Sequence, residues 1–110
     1  MADIKLDWQV PDTNVVDMDN IDTYVIYRKK DSNCAELQSL AASNNATYKL
    51  DVSGLGTVGS EINDLSKVTY TDEGVTAGDW VYGIYAKNAV GVSPCKGANG
   101  IDSIAEVTVV

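Results

Sequence analysis

At 110 residues the chain is long enough for one core and too short for two, so a single domain over residues 1–110 is expected. Eight Lys and Arg against 16 Asp and Glu, with no His, give a net charge of -8 that repels nucleic acid and anionic membranes. No apolar run approaches the roughly 20 residues of a membrane helix, and Met1 to Asp7 has neither the basic nor the apolar region of a secretory signal.

Ile4, Leu6, Trp8 and Val10 alternate with Lys5, Asp7 and Gln9 ahead of Pro11, which predicts a strand with one apolar face and Trp8 as its anchor. Asp12 to Asn20 is polar and acidic and reads as a solvated loop. An EF-hand starting at Asp17 would need Gly and Glu where Asp22 and Arg28 stand, so only an irregular calcium site in the Asp12 to Asp22 loop stays open. Ile21 to Lys30 predicts the second strand, with Tyr24 and Ile26 inward and Val25 and Tyr27 on the other face. Arg28, Lys29 and Lys30 form the only basic cluster. In so acidic a chain they are expected to pair with carboxylates of their own surface, the alternative being contact with an acidic partner.

Cys34 to Ala42 suits a short strand or a helical turn, and its pattern does not decide between them. Asn45-Ala46-Thr47 matches the glycosylation pattern, which without a secretory signal is read as chance. Thr47 to Val52 alternates, predicting Tyr48, Leu50 and Val52 on one face, and Ser53 to Ser60 is too Gly-rich for a regular element. Lys67 to Asp72 predicts a strand, and Gly74 and Gly78 permit a reversal after it. Trp80, Tyr82, Ile84 and Ala86 then form a core stripe, with Val81, Gly83, Tyr85 and Lys87 on the opposite face, before a loop from Asn88 to Pro94. Ile101 to Val110 is the closing strand, Val107 and Val109 inward and Thr108 outward.

The stretch from Tyr70 to Pro94, with its Tyr-Thr-Asp, its Gly corner, its aromatic Trp80 and its Ala86-Lys87-Asn88-Ala89-Val90-Gly91 ending, resembles the E-F-G region of fibronectin type III domains. The resemblance implies an all-β, immunoglobulin-like (fibronectin type III) sandwich. Ile4 to Val10 would be strand B, Ile21 to Lys30 strand C and Ile101 to Val110 strand G. Strand A is short or missing, and Ala42 to Lys67 is an insertion between C′ and E. Trp80 stands in place of the family's corner Tyr, and its N–H donates but cannot accept. Cys34, after strand C, and Cys95, in the F to G connection, would lie at opposite ends of the sandwich, about 20 Å apart against a disulfide reach of about 7 Å. Two free thiols and a reducing compartment are therefore expected.

Catalysis is poorly supported. The chain has no His, no nucleophile elbow around Ser53 and no phosphate-cradling Gly-Lys-Ser or Gly-Lys-Thr, and the Asp72-Glu73 pair sits at a structural corner. The expectation is a non-catalytic structural or binding module without cofactor or metal. Its first reading is a bacteriophage virion component, a capsid decoration, tail or fibre protein assembled in a bacterial cytoplasm. The alternative is an excised accessory or spacer module of an extracellular bacterial enzyme or adhesin. Its partners would be virion or surface proteins, or glycans, and not nucleic acid or membrane, with a monomer in dilute solution. Candidate contacts are Lys5, Asp7 and Gln9, which guard the unpaired edge of strand B, and Val92, Ser93 and Lys96 in the F to G loop. The edge could be covered by a partner strand or by Thr47 to Val52 folded back within the chain.

Overall fold

Among the described residues, alternating apolar residues build five strands, β1 (Ala2–Asp7), β2 (Thr23–Lys30), β3 (Thr69–Val75), β4 (Gly78–Lys87) and β5 (Ile104–Val109), with one helix, α1 (Cys34–Ala42), between β2 and β3. The computed structural model describes residues 1–9, 21–52, 60–95 and 103–110. Val10 to Asn20, Lys96, Ile101 and all but the last residue of the Gly-rich run Ser53 to Ser60 lie outside the described residues. β1 pairs antiparallel with β3, and β2, β4 and β5 form a second antiparallel sheet in that order.

The stripes land on the faces their alternation predicts. Leu6 of β1, Tyr24 and Ile26 of β2 and Tyr82 and Ala86 of β4 are buried together, joined by Ile4, Tyr70, Ala105 and Val107, so the two sheets enclose one apolar layer. Trp8 stands just beyond the end of β1 and is half-buried, its ring meeting Tyr24 edge-on at 5.6 Å. Leu6, at 4% exposure, is the deeper anchor of that strand. The opposite face of the three-stranded sheet is buried as well. Val25, Tyr27, Val81 and Tyr85 form a second cluster with Leu37 and Ala41 of the helix. The mostly β architecture therefore carries a third, helical layer.

The undecided segment is helical because both of its ends are capped and its inward residues recur at helical spacing. Asn33 accepts the Glu36 N–H through its side chain, and Leu37 and Ala41, one turn apart, face the sheet. At the other end Asn44 has φ 53°, and the Asn45 N–H reaches back to the Leu40 carbonyl. The stretch after the helix does not keep Tyr48, Leu50 and Val52 on one face. Tyr48 packs with the helix-side cluster while Leu50 and Val52 join the layer between the sheets. Its backbone covers the free edge of β2: Arg28 N–H donates to Tyr48, Leu50 N–H to Ile26, and Tyr24 and Ile62 exchange both bonds. The described part of the insertion thus protects β2, and none of its described residues pairs with the free edge of β1.

Cys34 and Cys95 form a disulfide with Cα atoms 5.7 Å apart, which corrects the expectation of free thiols. The opposite-ends argument fails for two reasons. After β4 the chain folds back along it, with Val92 bridged to Lys87 and Ser93 N–H donating to Ala86, so Cys95 returns to mid-strand. Cys34, in turn, opens a helix lying on that face, and Gln38 of the same helix accepts the Cys95 N–H. Unfolded without reductant, the protein should yield no free thiol, and reduction should lower its stability by about 2–5 kcal/mol. Two reactive thiols in denatured, unreduced protein would refute the link.

Gly83 is demanded by close approach. A Cβ there would stand 2.5 Å from the Tyr85 hydroxyl and 2.7 Å from its ring, and Tyr85 is fully buried. Gly83→Ala is expected to destabilise by about 1–3 kcal/mol through overpacking. An unchanged denaturation midpoint would show that the Tyr85 ring moves aside freely.

Candidate functional site

β1 alternates Ile4 and Leu6, directed between the sheets, with Asp3, Lys5 and Asp7, which are exposed. The same alternation sorts its backbone groups. Trp8 N–H donates to Val68 at 3.0 Å and the Leu6 carbonyl accepts from the Thr69 hydroxyl at 3.1 Å, so the even-numbered residues address β3. In an antiparallel pair the intervening residues turn their N–H and C=O the other way. Lys5 and Asp7 therefore present an outward row, which Asp3 and Gln9 continue. Among the described residues nothing pairs with this row.

A bulge sets where the row begins. The register slips between Ala2 and Ile4, and Gly74 takes φ 68° opposite the slip. No atom crowds a Cβ at Gly74, so it is the left-handed backbone, not space, that favours glycine there. The Gly74 N–H donates to the Asp3 carboxylate at 3.2 Å, tying the start of β1 to the bulge.

The other predicted contact residues lie elsewhere. Val92 and Ser93 run beside the end of β4, and Ser93 is occupied structurally, its hydroxyl accepting the Ala86 N–H while its own N–H donates to Ala86. Lys96 lies outside the described residues, as does all of the Asp12 to Asp22 loop except Ile21 and Asp22. Among the described residues no group of three or more His, Cys, Asp or Glu could hold a metal.

Two of the three clustered basic residues do pair with carboxylates, Arg28 with Asp72 at 2.6 Å and Lys29 with Glu36 at 3.0 Å. Lys30 instead lies 4.9 Å from the centre of the Trp80 ring. These residues, with Lys49 and Tyr48, line a groove of about 450 Å³ that no alternation pattern announces, because it is made between β2, β4 and the insertion. At the corner, Trp80 Nε1 donates to the Thr76 carbonyl at 2.8 Å, a bond that uses its donor alone.

A second polar knot holds the insertion to the sheet. Glu61 accepts from Lys49, from Lys87 at 2.7 Å and from the Thr23 hydroxyl at 2.7 Å. Burial pulls the Glu61 carboxyl up, but the bonds from Lys49, Lys87 and Thr23 outweigh it and hold the group down at about 2. Sequence reasoning missed this knot. Its members are scattered from Thr23 to Lys87, and no local spacing joins them.

Compared with protein-family models, curated proteins and solved structures, the chain has no match.

A carboxyl lowered from 4.5 to about 2 on folding contributes stability that is fully present above pH 4.5 and lost as the pH falls through about 2. Glu61→Gln should flatten that part of the stability profile. An identical acid limb in the variant would mean that other carboxylates set it.

Proposed function

We propose that this protein is a non-catalytic structural and binding module of a bacteriophage particle, a decoration, tail or fibre component, that acts through protein contacts at the open edge of β1. The observation that carries the reading is that edge, a row of backbone donors and acceptors at Lys5 and Asp7 with no partner among the described residues, beside a buried apolar layer. The finer fold assignment, fibronectin type III, is supported by strand pairing. β1 with β3, and β2 with β4 and β5, are the neighbours that strands B with E, and C with F and G, would have in such a sandwich. The helix on the outer face is an elaboration of that plan. In this reading the module uses no cofactor, avoids nucleic acid and membranes, and is a monomer when dilute.

The second reading, an accessory module of an extracellular bacterial enzyme or adhesin that contacts glycans, is favoured by the Cys34–Cys95 disulfide. Such bonds persist on virion and cell surfaces and in secreted proteins, so the disulfide suits both readings and argues against a working life in a reducing compartment.

Two measurements test the proposal. Mass spectrometry of purified particles from the producing host should find this chain as a stoichiometric component. Hydrogen exchange on the dilute protein should find the Lys5 and Asp7 amides fast and the Leu6 amide slow. Absence from particles together with recovery of the chain in the culture medium would favour the second reading. Slow exchange at Lys5 and Asp7 in the isolated monomer would remove the open edge itself.

A further inference from the structure

We propose that the occupant of the β1 edge is the β1 edge of a second copy of this chain, paired antiparallel about a two-fold axis with Lys5 opposite Asp7. The inference rests on the open edge identified above and names its partner. Pairing two such edges requires that outward residues meet outward residues, so the register moves only in steps of two. Charge then separates the few registers available. Centring the axis on Lys5 sets Lys5 against Lys5 and Asp3 against Asp7, all like charges. Centring it on Asp7 sets Asp7 against itself. Centring it on Leu6 sets Lys5 against Asp7 twice and Asp3 against Gln9 twice, so every outward side chain between Asp3 and Gln9 meets a complementary partner. Centring it on Ile4 also matches Lys5 with Asp3, but there the ladder must cross the bulge between Ala2 and Ile4.

The Leu6-centred register serves the buried side too. A two-fold axis normal to the sheet keeps both apolar faces on one side, bringing Leu6 against Leu6 and Ile4 against Trp8 of the second copy. The product is a continuous four-stranded sheet, β3-β1-β1-β3, with an isologous, closed interface. Neither of the other open edges offers such a match: on β3 the outward row is Thr69, Thr71 and Glu73, by alternation from the Trp8–Val68 bond, with one anion and no cation. On β5 the outward row is Ile104, Glu106 and Thr108, by the same alternation from the Ser103–Ile84 bond, and it holds one charge and no cation. A contact limited to one strand edge is small, so the dimer is expected to be weak, dissociated when dilute and formed where copies are crowded.

Sedimentation of the full 110-residue chain over a concentration series tests the proposal. The wild type should pass from monomer to dimer and no further. Lys5→Asp and Asp7→Lys should each raise the dimer dissociation constant by about tenfold or more, since each reverses two cross-strand pairs. The double variant, Lys5→Asp with Asp7→Lys, should dimerise like the wild type. An equimolar mixture of the two single variants should form a mixed dimer, because both of its pairs are again opposite in charge. Denaturation midpoints close to the wild type would confirm that these exposed substitutions leave the fold intact. A wild type monomeric throughout, single variants that associate unimpaired, a double variant that stays monomeric, or growth beyond a dimer through β1 and β5 would each overturn the proposal. Fast exchange at Lys5 and Asp7 without self-association would remove the second copy as partner and leave the binding edge standing. A dimer that behaves as described in a chain absent from particles would do the reverse.

Discussion

Asp72 places one carboxylate where the two sheets meet. It belongs to β3, is only 7% exposed, and accepts from Arg28 of β2 at 2.6 Å and from the Tyr82 hydroxyl of β4 at 2.7 Å. A charge buried there is tolerable only while both donors are present, because an unpaired buried charge costs several kcal/mol. The interaction therefore acts as a registration pin. Sliding β3 against the other sheet would strand the carboxylate, whereas apolar contacts alone would re-form in neighbouring positions. Burial, reinforced by the bond to Asp72, drives the Tyr82 hydroxyl far above its usual range, so it remains a donor at any physiological pH. Arg28 lies 4.5 Å from the Trp80 ring as well, which links the pin to the corner between β3 and β4.

The core around this pin is unusual in having no Phe. Its large aromatic residues are Tyr and Trp, so each brings a polar atom inside that needs a partner. Tyr24 finds the Leu65 carbonyl at 2.7 Å, Tyr70 the Asp51 carbonyl at 3.4 Å, and Tyr82 finds Asp72. These acceptors lie on or beside the insertion and β3, so the hydroxyls tie the layers together rather than simply filling space. Tyr85 and Trp8 each keep a buried polar atom without a partner among the described residues. For Tyr85 the arrangement is forced by its position over Gly83, beneath the helix.

Edges are treated unequally. The insertion covers β2, and β4 lies between two partners, so among the described residues the remaining open backbone lies on β1, β3 and β5. On β1 the outward side chains are charges of both signs in alternation. Such a row resists indiscriminate aggregation while remaining able to match one ordered partner. The functional proposal rests on that combination.

Alternation made the strands legible in the sequence, because which face a strand residue occupies depends only on its neighbours two positions away. Tyr24 and Ile26, the stripe from Trp80 to Ala86, Val109 inward and the outward row of Lys5, Asp7 and Gln9 could all be read that way. Net charge and the absence of His are likewise properties of the sequence alone. The helix was ambiguous because its identity rests on caps at Asn33 and Asn44 and on two contacts with the sheet. The disulfide was misread because its prediction depended on where a loop goes after its strand, and hydrogen bonds to Ala86 turn that loop back. Asp72 with Arg28 and Tyr82, Glu61 with its two lysines, and the groove beside Trp80 join residues from distant parts of the chain. Such contacts form only when folding brings those segments together, so tertiary structure alone decided them.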